Sequence, residues 1–355
     1  MKLYKWMRLA ASICVGVVLL IAVLRWVGLK AILKVMNQLN PVWLAPAIAL
    51  NLTVPVFRAE RWKLLLNPLD SISLRRLIPI VILGSVANMI MPARTGEFLR
   101  AFLIRGEGNV RFTSGLSSIF VERVLDVLAL LGLSVVAMAA ARVNMPAMFL
   151  NALKLVAALF MALIVLILFM AKRKNLVFAA FRVVKKVFPK RIQDRLTGQV
   201  ELAVKGVEAL NEEPKTMFLI SLLTVAIWAA PAASTILLFK AFSVEMSMST
   251  VTLGYALHSL SFAIPAPPGY AGTFEIYWAL IYSNLGMTFE EALAMGLAVH
   301  TVSLFTTTAL GSIALLTINL SLLKSIRKLM NEFLNLKIKN IFFHLINNQG
   351  FPDVV

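Results

Sequence analysis

The stretch Met91-Pro92-Ala93-Arg94-Thr95-Gly96-Glu97 interrupts a long apolar run, and Pro265-Ala266-Pro267-Pro268-Gly269-Tyr270-Ala271-Gly272-Thr273-Phe274-Glu275 interrupts a second one. In both stretches a glycine follows four residues after a proline, and a glutamate comes shortly after that glycine. Non-helical backbone inside a bilayer is tolerated only where it lines a cavity or is buried in protein, and paired breaks in two halves of a chain are typical of transporters. The two breaks therefore predict a substrate site near the middle of a membrane.

The composition around these breaks is that of an integral membrane protein. Hydrophobic residues make up 60% of the 355 residues and the mean hydropathy is +0.85, whereas soluble domains contain roughly 45–50% apolar residues. Candidate spanning segments are 9–24, 42–57, 77–91, 116–141, 155–171, 217–238, 251–263 and 292–318. The net charge of +18 lies mainly between these segments, where it suits anionic lipid headgroups rather than nucleic acid. The single cysteine, Cys14, lies in the first segment, so we expect no disulfide.

The basic residues also predict how the chain crosses the membrane. Segment 172–215 carries eleven Lys or Arg and five Asp or Glu, with apolar residues at helical spacing, and it is interpreted as an amphipathic cytoplasmic segment. With a cytoplasmic N-terminus, this segment is cytoplasmic only if residues 77–104 form a re-entrant hairpin that enters and leaves on one side. The same reasoning makes residues 251–285 a hairpin that enters from the opposite face.

The predicted fold is an all-α polytopic integral membrane protein. It has about six full transmembrane helices plus two re-entrant helical hairpins in an inverted repeat. A single domain covers residues 1–320, and residues 321–355 form a cytoplasmic tail. We expect the protein in the cell (inner) membrane, with both termini cytoplasmic.

Three segments of the chain carry a resemblance to a known family. They are residues 92–102, the stretch Val121-Glu122-Arg123-Val124-Leu125-Asp126, and residues 268–275. On these segments the chain resembles the lysylphosphatidylglycerol synthase transmembrane family, a flippase-like domain. In the founding enzyme this domain carries aminoacylated phosphatidylglycerol to the outer leaflet, and a soluble aminoacyltransferase domain follows it. The resemblance implies lipid translocation by a stand-alone member that lacks the soluble domain.

Charged residues at membrane depth are the first candidates for the site. An ionised side chain there costs a few kcal/mol unless it is paired or faces water, so it is usually tolerated for function. Arg94 lies at the first break and offers a planar fork that fits a phosphate, with Arg100 a turn or so further along. The alternative for Arg94 is a structural ion pair with Glu97 or Glu122.

The acidic candidates have two interpretations each. Glu97 and Glu275 lie near the start of the helices that follow the breaks, so each either caps its helix or binds a cationic headgroup or a proton. Glu122 and Asp126 lie four residues apart on one helical face, with Arg123 beside Glu122. These three charges cannot neutralise themselves on a single face, so a partner from another helix is expected. They form either an interhelical ion-pair clamp or a substrate contact.

The candidate site residues fall into two groups, charged side chains and backbone breaks. Substrate-binding residues are Arg94, Glu97, Arg100, Glu122, Arg123, Asp126 and Glu275, and the backbone breaks are formed by Pro92, Gly96, Pro268, Gly269 and Gly272. Outside this set, Arg58, Glu60 and Arg61 are interpreted as interfacial anchors or, alternatively, as a site of headgroup access. His258 and His300 are expected to hydrogen-bond across helices rather than bind metal. Asn88 and Ser85 are expected to pack, to satisfy freed carbonyls or to line the cavity.

The absence of a nucleotide-binding pattern limits the possible energy sources for transport. It has no G-x-x-x-x-G-K-[ST] pattern, so we expect no nucleotide hydrolysis by that route, and we predict no cofactor and no metal. Transport is then passive, coupled to an ion or driven by a partner, with Glu97 and Glu275 as candidate proton carriers.

The expected partners are membrane lipids with an anionic or lipid-linked headgroup, a separate lipid synthase or glycosyltransferase, and a second copy of the chain, but not nucleic acid. Two alternatives to translocation stay open. One is an intramembrane transferase acting on a lipid-linked substrate, with Glu122 and Asp126 as acid and base. The other is an accessory subunit of a lipid-modifying enzyme.

Overall fold

A computed structural model describes residues 39–67, 70–90, 95–106, 110–141, 214–264 and 267–317, together with a few isolated positions between 151 and 162. Up to Leu316 these residues belong to one compact unit. Several predictions concern residues outside the described ranges. These are the first predicted span with Cys14, Pro92 and Arg94 at the first break, most of the predicted span 155–171, nearly all of the predicted cytoplasmic segment 172–215, and the tail.

The described ranges are helical and contain no strand, so the predicted all-α class is confirmed for this part of the chain. The α-helices are α1 (Pro41–Leu66), α2 (Leu74–Ile90), α3 (Thr95–Leu103), α4 (Phe112–Ala141), α5 (Pro214–Ala241), α6 (Met248–Ser261), α7 (Thr273–Ser283) and α8 (Phe289–Thr317). Short 3-10 helices follow α3 at Ile104–Gly106 and precede α7 at Pro268–Tyr270.

The same order of elements occurs twice. A long helix, two short helices and a long helix follow one another in α1 to α4, and again in α5 to α8. Helices α1 and α5 pack antiparallel, because Asn40 N–H donates to the Ala241 carbonyl at one end (2.9 Å) and Arg61 donates to Thr224 at the other (3.1 Å). The first helices of the two sets thus run in opposite directions, which is the relation that an inverted repeat requires.

Four of the described helices, α1, α4, α5 and α8, are long and apolar enough to cross a bilayer. Their outer faces carry large apolar side chains, such as Phe120, Phe218 and Phe305, which are 55%, 67% and 64% exposed. Helices α2 and α6 have 17 and 14 residues, and at about 1.5 Å per residue both fall short of the roughly 30 Å hydrocarbon core. The long helices therefore have the length and the apolar surface of membrane spans.

Helices α2 and α3 fold back on each other around the first break. The backbones touch where Gly84 meets Gly96, since a Cβ atom on Gly96 would overlap the Gly84 carbonyl. The Asn88 side-chain oxygen accepts a hydrogen bond from Gly96 N–H at 2.8 Å. Asn88 was expected to pack, to satisfy a freed carbonyl or to line the cavity. Its oxygen satisfies one of the amide groups that the start of a helix leaves unpaired, a role that the sequence did not predict.

Helices α6 and α7 form a second hairpin. The Tyr282 hydroxyl donates to the Val251 carbonyl at 2.9 Å, and the Tyr282 ring lies directly against Gly254. Between the helices, Gly269 and Gly272 have φ angles of 71° and 75°. Glycine adopts this left-handed region at little cost, whereas a side chain is disfavoured there, so both positions of the second break need glycine for its backbone.

Candidate functional site

A buried network of charges lies where α1, α3 and α4 meet. Arg61 on α1 is fully buried, and its Nη1 lies 2.8 Å from Asp126 Oδ1 on α4. Arg100 on α3 is also buried, and its Nη2 lies 2.8 Å from Glu122 Oε2. The prediction that Glu122 and Asp126 need a partner from another helix is confirmed, with Arg61 and Arg100 as the partners.

Arg123 extends this network toward its open edge. Its Nη2 lies 3.0 Å from Asp126 Oδ2, and its Nε lies 3.6 Å from Glu97 Oε1 on α3. The Arg123 and Glu97 side chains are 25% and 19% exposed, whereas Glu122 is fully buried. The network is therefore closed around Glu122 and accessible around Arg123.

Aromatic and hydroxyl side chains hold the buried charges in place. Trp228 Nε1–H on α5 donates to Asp126 at 3.1 Å, and Arg61 donates to the Thr224 hydroxyl at 3.1 Å. The Arg100 guanidinium lies 4.1 Å from the ring centroid of Trp62. A buried ion pair survives desolvation only when its geometry is good and its remaining polar atoms find partners, and these contacts supply part of that requirement.

A fourth arginine, Arg58, completes the group that we call the arginine–carboxylate cluster: Arg58, Arg61, Arg100, Arg123, Glu97, Glu122 and Asp126. The Arg58 guanidinium lies 5.7 Å from the ring centroid of Trp228, within cation–π range. It makes no ion pair with any residue that the structure describes, and its Nε is buried without a hydrogen-bond partner there. Four arginines against three carboxylates leave one positive charge in excess when all are ionised.

The interpretation of residues 58–61 as interfacial anchors is wrong for Arg61. Glu60 does lie at the half-exposed surface, where it pairs with Lys63 at 3.6 Å. Arg61, one residue later, is among the largest fully buried side chains and pairs with both Asp126 and Glu122. The unpaired carboxylates of α4 were the signal for it, since they required a cation from another helix.

The second hairpin holds a different charged pair. Glu275, in the first turn of α7, lies 2.6 Å from His300 Nδ1 on α8, and both residues are 5% exposed. His258 Nε2–H on α6 donates to the Phe274 carbonyl at 3.1 Å, and the Phe274 ring stacks on the His300 ring at 4.2 Å between centroids. The prediction that the two histidines hydrogen-bond across helices is confirmed. Within the described ranges, no group of three or more His, Cys, Asp or Glu side chains is placed to hold a metal ion.

The structure thus brings five of the seven predicted substrate-binding residues into one cluster: Glu97, Arg100, Glu122, Arg123 and Asp126. Glu275 instead contacts α8. Arg94 lies outside the described residues. The roles of all seven in substrate binding stay predictions.

Comparison with known proteins decides the family. The family model described as the lysylphosphatidylglycerol synthase TM region matches residues 9–311. The chain belongs to this family. It is a multi-pass membrane protein of the lysylphosphatidylglycerol synthase transmembrane family, as the three signature segments predicted.

The relatives of this chain include UPF0104 membrane proteins and a glycosyltransferase. A UPF0104 membrane protein of Methanothermobacter thermautotrophicus is 23% identical, covering 86% of this chain and 94% of its own length. A UPF0104 membrane protein of Pyrococcus horikoshii is 24% identical, covering 86% and 95%. The glycosyltransferase AglD of Haloferax volcanii is 21% identical, covering 92% of this chain but 57% of its own length. No solved structure matches the chain.

Proposed function

We propose that this member of the family moves the headgroup of a phospholipid or lipid-linked substrate between leaflets, as a flippase or scramblase. In this proposal α2–α3 and α6–α7 are re-entrant hairpins that enter from opposite faces, in an inverted repeat of about six full crossings. Membership in the family and the repeated order of helices in α1 to α4 and α5 to α8 support the arrangement. The headgroup passes through a polar interior while the lipid tails stay in the bilayer.

The excess positive charge of the arginine–carboxylate cluster is the observation that carries the proposal. A buried cation without a counter-charge is costly, and a phosphate supplies both the missing charge and several acceptor oxygens. Arg58 makes no ion pair with a described residue. Its favourable electrostatic neighbour is Asp126, which already pairs with Arg61 and Arg123, and these two arginines repel Arg58. An anionic headgroup would therefore bind between Arg58 and Arg123.

The remaining charges of the cluster have a positioning role. Asp126 is contacted by Arg61, Arg123 and Trp228, so it fixes the side chains that flank the headgroup. The membrane potential contributes about 2.3 kcal/mol per charge per 100 mV, so a negative interior assists the outward movement of an anionic lipid. No nucleotide is required for movement in that direction.

A transferase is the second candidate, favoured by the name of the glycosyltransferase relative. In that case Glu122 and Asp126 would act as acid and base on a lipid-linked sugar. Both carboxylates, however, are buried and lie within 3 Å of an arginine nitrogen, so their oxygens are engaged in ion pairs rather than open to a substrate. The chain also aligns with only 57% of that relative's length. Translocation, alone or beside a separate lipid-modifying enzyme, is the better fit.

The test is lipid movement in proteoliposomes containing tagged lipids with a panel of anionic, zwitterionic and cationic headgroups. The wild type is expected to move anionic headgroups selectively. Arg58→Gln removes a charged hydrogen-bond donor worth about 1.5–3 kcal/mol, so it should slow this movement by about tenfold or more. Arg94→Ala extends the test to the first break.

The matched control is Lys63→Gln, which removes a cation from the surface of the same helix and should leave the rate unchanged. Folded wild-type protein that moves no lipid, or Arg58→Gln protein that moves anionic lipid at the wild-type rate, would contradict the proposal. Sugar transfer by the purified protein to a lipid acceptor would favour the transferase.

A further inference from the structure

We propose that Glu275 and His300 form a proton-binding site, separate from the arginine–carboxylate cluster, that couples lipid movement to protons. Proton binding by this Glu275–His300 pair stands on its own geometry, whereas the coupling rests on the proposed function. The site deepens that function by naming its energy source.

The geometry of the pair favours one shared proton. Glu275 Oε1 and His300 Nδ1 are 2.6 Å apart and both side chains are 6% exposed. With one proton between them, the pair is neutral overall, either as carboxylate and imidazolium or as carboxylic acid and imidazole. Without it, the pair places one negative charge in a nearly dry site, which is unfavourable. The buried pair is therefore more favourable with the shared proton than without it.

The charged groups around the pair do not neutralise the negative charge of Glu275, so a proton has to do so. Within the described residues, no lysine or arginine makes an ion pair with Glu275. From α6 the titratable group that faces the pair is His258, which interacts electrostatically with both members and donates its own proton to the Phe274 carbonyl. On α2, Val86 lies against Gly311 of α8 and brings no charge.

Glu97, the other candidate proton carrier, differs from Glu275 in its partner. Its counter-charge is Arg123, and an arginine guanidinium stays protonated in proteins. Free histidine has a pKa of about 6.5 and changes charge in the physiological range. A carboxylate–imidazole pair thus contains two groups able to exchange a proton, whereas in a carboxylate–guanidinium pair only the carboxylate can. This difference assigns the proton to the second hairpin.

The pair lies close to the glycine break that precedes α7. Glu275 comes three residues after Gly272, which precedes the first residue of α7. A carboxylate is stabilised in the first turn of a helix, so a change in its charge alters the stability of that turn. Glu275 Oε2 is buried without a hydrogen-bond partner among the described residues, and it is the atom at which a proton from outside would arrive. Proton binding on one side of the membrane and proton release on the other would therefore favour different orientations of the α6–α7 hairpin.

The first arm of the test measures proton binding by infrared difference spectroscopy of the full protein in lipid, titrated between about pH 5 and 8, the range in which histidine changes charge. A band of the carboxyl or imidazole group should titrate in the wild type and disappear in Glu275→Gln. The matched control is Glu291→Gln at the exposed start of α8, where glutamine keeps the cap with Thr288 and the band should persist. A band that survives in Glu275→Gln, or its absence from the wild type, would overturn the site.

The second arm measures lipid movement in proteoliposomes with an imposed pH difference. With one proton per lipid, the ratio of lipid between leaflets should change up to about tenfold per pH unit. Glu275→Gln and His300→Gln should lose this response. Lipid movement that ignores the pH difference in the wild type would overturn the coupling. Failure to move any lipid would contradict the proposed function instead, while the infrared arm still decides the proton site.

Discussion

At the scale of single residues, Asp126 tests whether the cluster is held by charge. Asp126→Asn leaves Arg61 and Arg123 without one of their counter-charges inside the protein. Breaking a buried pair costs about 3–5 kcal/mol, whereas an exposed pair contributes about 0–1 kcal/mol. Asp126→Asn should therefore lower the unfolding temperature in detergent markedly, and Glu60→Gln, which removes a half-exposed partner of Lys63, should barely change it. Equal unfolding temperatures for the two variants would show that the cluster does not depend on its ion pairs.

The same residues show what hydropathy misses. The apolar run predicted a span that ends at residue 57, yet α1 continues to Leu66, with Arg58 partly buried and Arg61 fully buried inside the protein. The hydropathy of a sequence window includes the charge of Arg61 but not its partner Asp126, which lies 65 residues away on α4. The need of Glu122 for a cation was visible in the sequence because its own helix could not supply one. The identity of that cation depended on how α1 packs against α4.

At the scale of elements, the two breaks require glycine for different physical reasons. Substitution by alanine and by asparagine distinguishes these reasons. At Gly96 a Cβ atom meets the Gly84 backbone, so any side chain is an overpacking of at least about 1–3 kcal/mol. At Gly269 a Cβ atom meets nothing within 4 Å, but φ is 71°, which costs alanine roughly 1–2 kcal/mol.

Asparagine tolerates the left-handed region, so Gly269→Asn should be more stable than Gly269→Ala. Gly96→Asn should be no better than Gly96→Ala, because the clash at that position is steric. Unfolding temperatures of the four variants check this. Rescue by asparagine at both positions would mean that the α2–α3 contact is looser than the structure shows.

The bounds of the hairpin helices were largely predictable. The first apolar run was predicted to end at Met91, and α2 ends at Ile90; the second break was expected before Glu275, and α7 begins at Thr273. Proline and glycine interrupt helices locally, so their effect is visible in the sequence. The bond from Gly96 to Asn88 was not predictable, because it forms only when α3 folds back onto α2.

At the scale of the whole molecule, the sequence indicated two halves with a break in each, and the described helices repeat the order long, short, short, long. The antiparallel packing of α1 and α5 agrees with inversion of one half. The pairing of Glu275 with His300 depended on how α7 meets α8, so the sequence predicted only a carboxylate and a histidine at membrane depth. Tertiary packing turned these two residues into one site.

The proposed inverted repeat predicts on which side of the membrane four exposed positions lie, and cysteine labelling can check this. In a Cys14→Ser background, single cysteines replace Ser71 before α2 and Arg111 before α4, which are both exposed. If α2–α3 is a re-entrant hairpin, an impermeant thiol reagent should label both positions from the cytoplasmic side, because the chain enters and leaves on that face.

Single cysteines in place of Glu245 and Glu290, which flank the α6–α7 hairpin and are also exposed, extend the test to the second half. Both should be labelled only from the outside, since an inverted repeat places the second hairpin on the opposite face. Lys63→Cys, at the half-exposed surface of α1, should be labelled from the same side as Ser71→Cys. Labelling of Ser71→Cys and Arg111→Cys from opposite sides would mean that α2 and α3 together cross the membrane, and the basic residues of the loops would then no longer lie on one side.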